Sequence, residues 1–270
     1  MAENPMGKTS GYPDSFDPEL LVALPRSTNR EIIGVGDPLP FTGEDVWHAY
    51  ELSWLNKQGL PTAVIGRFSF SCNSPCLVES KSFKLFLNSL NQEKFNDKKD
   101  VISLLTEHLS KCSGDKVGIE LIELDASADQ TKTPEGLCID GLNVEIKDYH
   151  PNSSLLSCDE NNVIEEHLYS DLFKSNCPVT NQPDWASMSI YYKGSAISHE
   201  SLLAYLVSYR LHSDYHENCV EKIFVDLQKK CKPQVLTVQA NFLRRGGLDI
   251  NPVRSTHGEY IKTPFRFIRQ

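Results

Sequence analysis

Four side chains in the second half of the chain are of types that do covalent and acid–base chemistry: Cys177, Asp184, His216 and Glu217. Cys177 precedes Pro178, which disfavours helix at the cysteine itself, and Pro183 stiffens the far end of the stretch. The result is a rigid, polar loop that could present a thiol. A thiol with a pKa of about 8.5 is only a few per cent thiolate at pH 7 but is intrinsically nucleophilic. The competing reading is a buried, inert cysteine. On spacing alone Asp184 reads as a turn residue after Pro183, and His216 with Glu217 as capping or surface positions at a helix start.

A second set is basic. Glu79 is followed by Ser80, Lys81, Ser82 and Lys84. The two lysines are three apart on one helix side, which suits either a solvated face or a phosphate held at a helix N-terminus. Arg244 and Arg245 stand before Gly246 and Gly247. Two arginines and a backbone that allows close approach suit a pyrophosphate or a 2′-phosphate; the alternative is a charged hairpin turn. Gly34-Val35-Gly36 begins like a dinucleotide fingerprint but lacks the third glycine, and Pro38 falls where the helix should start. His212, His216 and Cys219 could share a helix face as metal ligands, but no paired cysteine motif accompanies them, so no metal is expected.

These groups need a scaffold, and the chain is long enough for two modest domains at 270 residues. A net charge of -9 argues against direct nucleic-acid binding. No apolar run reaches membrane-spanning length, and the first residues lack a signal-peptide pattern. A cytoplasmic protein with eight reduced cysteines follows. Shifted by 121 residues, two stretches align without a gap, Glu79-Ser80 on Glu200-Ser201 and Phe95-Asn96 on His216-Glu217. Each reads as a helix pair, with Phe83, Leu87 and Leu90 on one face in the first half and Val220, Ile223, Phe224 and Leu227 in the second. Ser198 or Ser201 caps the later pair. Strands are expected over 63–71, 116–124, 137–146, 187–193, 234–243 and 260–268, which gives ββααββ twice. Residues 1–50, rich in proline, form an extension; 51–150 and 151–270 form the two modules, with a polar connector over 151–170.

The segment 79–86 and the loop Cys177-Pro178-Val179-Thr180-Asn181-Gln182-Pro183-Asp184-Trp185, with the late Arg-Arg-Gly-Gly motif, resemble the NADPH-dependent 7-cyano-7-deazaguanine reductases, the QueF family, in its long, two-module branch. The resemblance implies an α+β protein of tandem tunnelling-fold modules, each an antiparallel sheet with a helix pair on one face. It implies an NADPH-dependent reduction of a nitrile to an amine on the way to queuosine. Cys177 would be the nucleophile and Asp184 the proton donor, its proton retained by burial beside Trp185. His216 would position or protonate the reacting nitrogen. Glu79 and Glu217 would hold the ring, because one carboxylate accepts two parallel N–H bonds from a guanine-like edge. Ser80, Lys81, Ser82, Lys84, Arg244, Arg245 and Gly246 would hold NADPH, with more positive charge than a pyrophosphate requires. Since Cys177 and Lys81 fall in different modules, the site is expected where modules meet, within one chain or across a homodimer or other homo-oligomer. A pterin-type cyclohydrolase and a non-catalytic purine-binding module are the rival readings. Spacing also suggests a protective Cys177–Cys219 disulfide, against Cys219 as a small packing residue.

Overall fold

The structure is a computed structural model that describes residues 11–124, 132–258 and 266–270. Residues 1–10 of the proline-rich start lie outside the described residues; from residue 11 it forms regular elements. A short 3₁₀ turn at Pro18–Leu20, capped by Asp17, leads to strand β1 (Ala23–Pro25) and helix α1 (Ser27–Ile33). Strands β2 (Thr42–Leu55), β3 (Pro61–Ser71) and β4 (Cys76–Val78) follow, then helices α2 (Ser80–Asn88) and α3 (Lys98–Ser113) and strand β5 (Gly118–Ile122). The second half holds β6 (Leu137–Cys138), β7 (Cys158–Asn176), β8 (Pro183–Ile197), α4 (His199–Val207), α5 (His216–Cys231), β9 (Val235–Phe242) and β10 (Leu248–Ser255). This is a mixed α+β chain whose strands pair antiparallel, β6 with β7 excepted. No described helix is long and apolar enough to cross a membrane.

The chain divides into two compact units, neither of them one contiguous stretch. The described part of the first comprises 11–29, 45–124 and 244–249; that of the second comprises 30–44, 132–243, 250–258 and 266–270. In the first unit β3 lies between β5 and β2, and β1 pairs with β4. The buried face of α2 supplies Phe83, whose ring meets Trp47 and Phe68 edge-on at 5.3 and 5.0 Å. Burying a side chain of that size contributes about 1.5–3 kcal/mol. Asp97 caps α3 at its start, and Gly114 ends it in the left-handed conformation. The N-terminal stretch is stitched to α2: Val22 N donates to Ser82 Oγ at 3.1 Å and Glu79 N to Val22 O at 2.9 Å.

In the second unit the strand order is β10–β9–β8–β7–β6. β7 and β8 form a long hairpin, in register from Cys158↔Ile197 to Asn176↔Pro183 with two bulges. Helix α5 buries Val220, Ile223, Phe224 and Leu227, as the helical spacing predicts. It also buries Glu221, and this carboxylate takes two guanidinium groups. Arg30 Nη2 lies 2.7 Å and Arg254 Nη2 2.9 Å from Glu221 Oε1, with all three side chains buried. The Phe41 ring lies 5.7 and 5.6 Å from the two guanidinium carbons.

Several expectations need correction. The polar stretch placed in a connector over 151–170 contains the first half of β7. β2 begins at Thr42, inside the stretch read as an extension. Only Leu137–Cys138 of the strand expected over 137–146 forms, and it pairs with β7. Residues 260–265 of the last expected strand lie outside the described residues. The internal offset is also different. α4 starts 119 residues after α2 (199 against 80) and α5 starts 118 after α3 (216 against 98), with lengths of 9 and 16 residues in both pairs. The residues matching His216-Glu217 are therefore Lys98-Lys99, not Phe95-Asn96. Ser198, not Ser201, caps α4 and matches Glu79, the cap of α2.

Candidate functional site

Glu79 is buried and links β4 to α2, capping the helix. Its Oε1 accepts from Lys81 N at 2.8 Å and its Oε2 from Ser82 N at 2.7 Å. The helix start is thus already served by a carboxylate of the chain itself. Each oxygen keeps a second lone pair for another donor. Burial pushes the Glu79 carboxyl above its usual range, opposed by those two N–H bonds and by the Lys81 and Arg245 charges. Ser82 is fully buried; its hydroxyl donates to Glu79 O at 2.7 Å and accepts from Val22 N. Its contacts are those of a local staple. Ser80 opens the helix.

The turn from Arg245 to Leu248 carries Gly246 and Gly247 at φ of +63° and +80°, which favours glycine. A Cβ on Gly247 would also sit 2.5 Å from Glu51 Cδ. Lys84 lies against Gly246 and 3.4 Å from Glu51. A shallow cleft opens here, lined by Ala49, Glu51, Lys84, Leu87, Gly246 and Gly247 among others. Arg244 turns elsewhere: its guanidinium carbon lies 4.5 Å from the Tyr50 ring centroid. The Tyr50 hydroxyl donates to Asp249 Oδ2 at 2.5 Å, and His48 Nδ1 lies 2.8 Å from Asp249 Oδ1. Arg244 and Arg245, adjacent in sequence, thus sit in different surroundings.

In the second unit, Cys177 to Gln182 form the tip of the β7–β8 hairpin. Cys177 N donates to Gln182 O, and Asn181 N to Cys177 O, both at 2.9 Å. Asn181 adopts φ +56°, which asparagine tolerates better than most residues. Residues 178–183 are exposed, but Cys177 is 2% exposed, so the loop turns its thiol inward. Asp184 pairs with Ser175 across the hairpin, which puts both side chains on one face. Trp185, on the other face, has the guanidinium carbons of Arg210 and Arg269 at 5.3 and 5.1 Å from its ring centroid.

His216 opens α5 and stacks on Phe242 of β9, with ring centroids 3.9 Å apart. Its Nε2 lies 3.3 Å from Asp184 Oδ2, an ion-pair distance without hydrogen-bond alignment. Glu217 is buried beside it in the first turn, where the helix dipole favours negative charge. One turn on, Cys219 is fully buried. Burial holds its thiol well above the ordinary range, with the Asp214, Asp184 and Glu217 carboxylates acting in the same sense. Ser175 Oγ is close enough to act the other way on that thiol, though it is not aligned as a hydrogen bond. Neither Cys177 nor Cys219 is in a disulfide. Among the described residues no three His, Cys, Asp or Glu side chains are grouped as metal ligands.

The second unit therefore brings Asp184, His216 and Cys219 together, and the first unit brings Glu79, Lys81 and Arg245 together. Sequence reasoning passed over Asn176, Lys174, His48 and Asp249. Two of them carried a usable signal: Asn176 stands next to Cys177, and Asp249 lies in the same late motif as the arginines.

Comparison with known proteins agrees with the resemblance. The family model for the N-terminal part of the nitrile reductase 7-cyano-7-deazaguanine reductase matches residues 12–121, and that for QueF-like proteins matches 183–260. An NADPH-dependent 7-cyano-7-deazaguanine reductase of Chromohalobacter salexigens is 47% identical over 267 residues, which is 98% of this chain and 96% of that one. Among solved structures, the archaeosine synthase QueF-Like in its apo form matches at a TM-score of 0.32 and 18% identity, over 36% of this chain and 96% of that one. The motifs, the two family matches and a near-full-length relative lead to one conclusion: this chain belongs to the QueF family of 7-cyano-7-deazaguanine reductases.

Proposed function

We propose that the chain reduces the nitrile of 7-cyano-7-deazaguanine to 7-aminomethyl-7-deazaguanine with NADPH, through a thioimide on Cys177, in queuosine biosynthesis. The observation that carries this reading is the buried convergence of Asp184 and His216 at 3.3 Å, at the base of the loop whose tip turns Cys177 inward. Glu217 and Glu79 accept the ring's N–H groups. The Cys177 thiolate attacks the nitrile carbon while Asp184 gives a proton to the nitrogen, forming a C–S bond and the thioimide. His216, stacked on Phe242, stays beside the Asp184 carboxyl to orient it or to pass on a proton. After reduction of the thioimide the Cys177 sulfur leaves as thiolate and the C–S bond breaks. Burial of these groups keeps water from hydrolysing the intermediates. Lys81, Lys84, Arg245 and Gly246, with Arg244 and Ser80, would hold NADPH, which when bound would supply the hydrides that reduce the thioimide and then the released imine.

The matched helix pairs, of 9 and 16 residues in each unit, support a tandem of tunnelling-fold modules. We infer a cytosolic homodimer or other homo-oligomer that acts on a small molecule, without direct contact to nucleic acid or membrane.

The test is stoichiometric. A nitrile-to-amine reduction takes four electrons and each NADPH gives two, so two cofactors should disappear per amine formed, followed by absorbance and product chromatography. A ratio of one, or turnover without reduced cofactor, removes the mechanism. Separately, Asp184→Ala should slow adduct formation by about 10²–10⁴, the range for a positioned acid. Rapid-quench mass spectrometry measures this, and an unchanged rate would assign the proton to another group.

A further inference from the structure

The residue before the reactive cysteine does more than continue the strand. Asn176 is buried at the last position of β7, with β8 on one side and the 210–215 segment on the other. Its backbone bonds that segment twice: N donates to His212 O at 2.8 Å, and O accepts from Asp214 N at 3.0 Å. Its side chain adds two donations, from Nδ2 to His212 O at 3.2 Å and to Arg210 O at 3.4 Å. Oδ1 accepts from Lys174 Nζ at 2.7 Å, and the same ammonium donates to Arg210 O at 2.8 Å. The segment so held runs through Tyr215 directly into His216 and Glu217.

We propose that Asn176 and Lys174 are positioning residues that clamp the 210–215 segment to the end of β7, fixing Glu217 in place with respect to Cys177. The proposal rests on the reading of Cys177 as nucleophile and Glu217 as ring acceptor. Its logic is geometric. The ring is held by one element and attacked from another, and a misplacement of about 1 Å between them can cost a hundredfold in rate. Any residue but proline at 176 would keep the two backbone bonds. Only an amide also donates to two carbonyls while accepting from an ammonium. Lys174 is tied to this role by its two Nζ bonds, to Asn176 Oδ1 and Arg210 O; burial and the Arg210 charge lower the pKa of its ammonium, against the opposing pull of Asp184.

The experiment uses the full chain without NADPH, mixed with the cyano substrate. Adduct formation is followed by rapid quench and intact mass, and ring affinity by calorimetry on a Cys177→Ala background. Asn176→Asp keeps size and acceptor but sets a carboxylate against two carbonyl oxygens. Lys174→Met, at a half-buried position, removes the ammonium with little risk to folding. Each should slow adduct formation by about 10- to 100-fold while ring affinity changes less than about threefold. Lys174→Arg should restore most of the rate. Unchanged rates in both variants overturn the clamp, and so does a loss of ring affinity in step with rate, which marks a merely structural role. A wild type that forms no adduct removes the reading of Cys177 itself, and with it the proposal. That result is distinct from a wild type and variants that react equally fast.

Discussion

Cys177→Ala should abolish both the covalent adduct and turnover, by on the order of 10⁴-fold or more, as loss of a nucleophile does elsewhere. On the proposed roles of Glu79 and Glu217, ring affinity should change little, because both glutamates and the stacked His216 remain. The expectation is sharp because the Cys219 thiol of the same unit cannot easily substitute. Cys219 is wholly buried among carboxylates that oppose its ionisation, and thiol, unlike thiolate, is a poor nucleophile. Intact-mass measurement after mixing with the cyano substrate shows a shift for wild type and none for the variant. Calorimetry on the same samples reports ring binding. An adduct on Cys177→Ala, or turnover within tenfold of wild type, would show that another group makes the bond.

The second large effect lies away from the chemistry. Glu221→Ala should lower the unfolding free energy by about 3–5 kcal/mol, the usual loss when one member of a buried ion cluster is removed. Glu221 is 2% exposed and holds Arg254 at 2.9 Å and Arg30 at 2.7 Å. Without it two guanidinium groups remain in the interior with their shared counter-charge gone. Glu221→Gln should cost less, since the amide oxygen still accepts a hydrogen bond from one of them. Urea unfolding followed by tryptophan fluorescence and circular dichroism measures both. A loss below about 1 kcal/mol for Glu221→Ala would mean that the arginines find water or new acceptors. Because Glu221 lies on the helix that begins with His216 and Glu217, a partial loss should also appear as weaker ring binding.

Both effects were unequally legible in the sequence. The prolines at 178 and 183 marked a loop, and the loop is there, but nothing in the spacing showed that its cysteine turns inward while its neighbours stay exposed. Helix α5 was readable because Val220, Ile223, Phe224 and Leu227 fall on one face. Glu221 sits between them as an ordinary surface glutamate would, and its partners come from residues 30 and 254, far away in sequence. β2 escaped notice because its buried positions include polar ones: Asp45 is matched by Arg26 at 2.6 Å, and a hydrophobicity pattern does not register a paired charge. β7 escaped for a different reason. Its first half, around Asp159-Glu160-Asn161-Asn162, is exposed, so it carries no apolar alternation and is strand only through its pairing with β8. The gap-free offset of 121 aligned residue types, whereas helix boundaries follow capping chemistry, and Glu79 and Ser198 cap with different groups.

The discontinuous first unit has a consequence for how the protein is made. The described part of its bulk runs to residue 124, and its last piece, 244–249, follows about 120 residues later. At about 5–20 residues per second, a ribosome takes roughly 6–24 s to bridge that interval. Until then His48 and Tyr50 lack the Asp249 carboxylate, and Lys84 lacks the glycine turn beside it. The nascent chain therefore completes this part of the unit only after residue 249 has been made. A ribosome stalled before residue 244 would carry a first unit that holds its aromatic core but lacks the arginine–glycine turn.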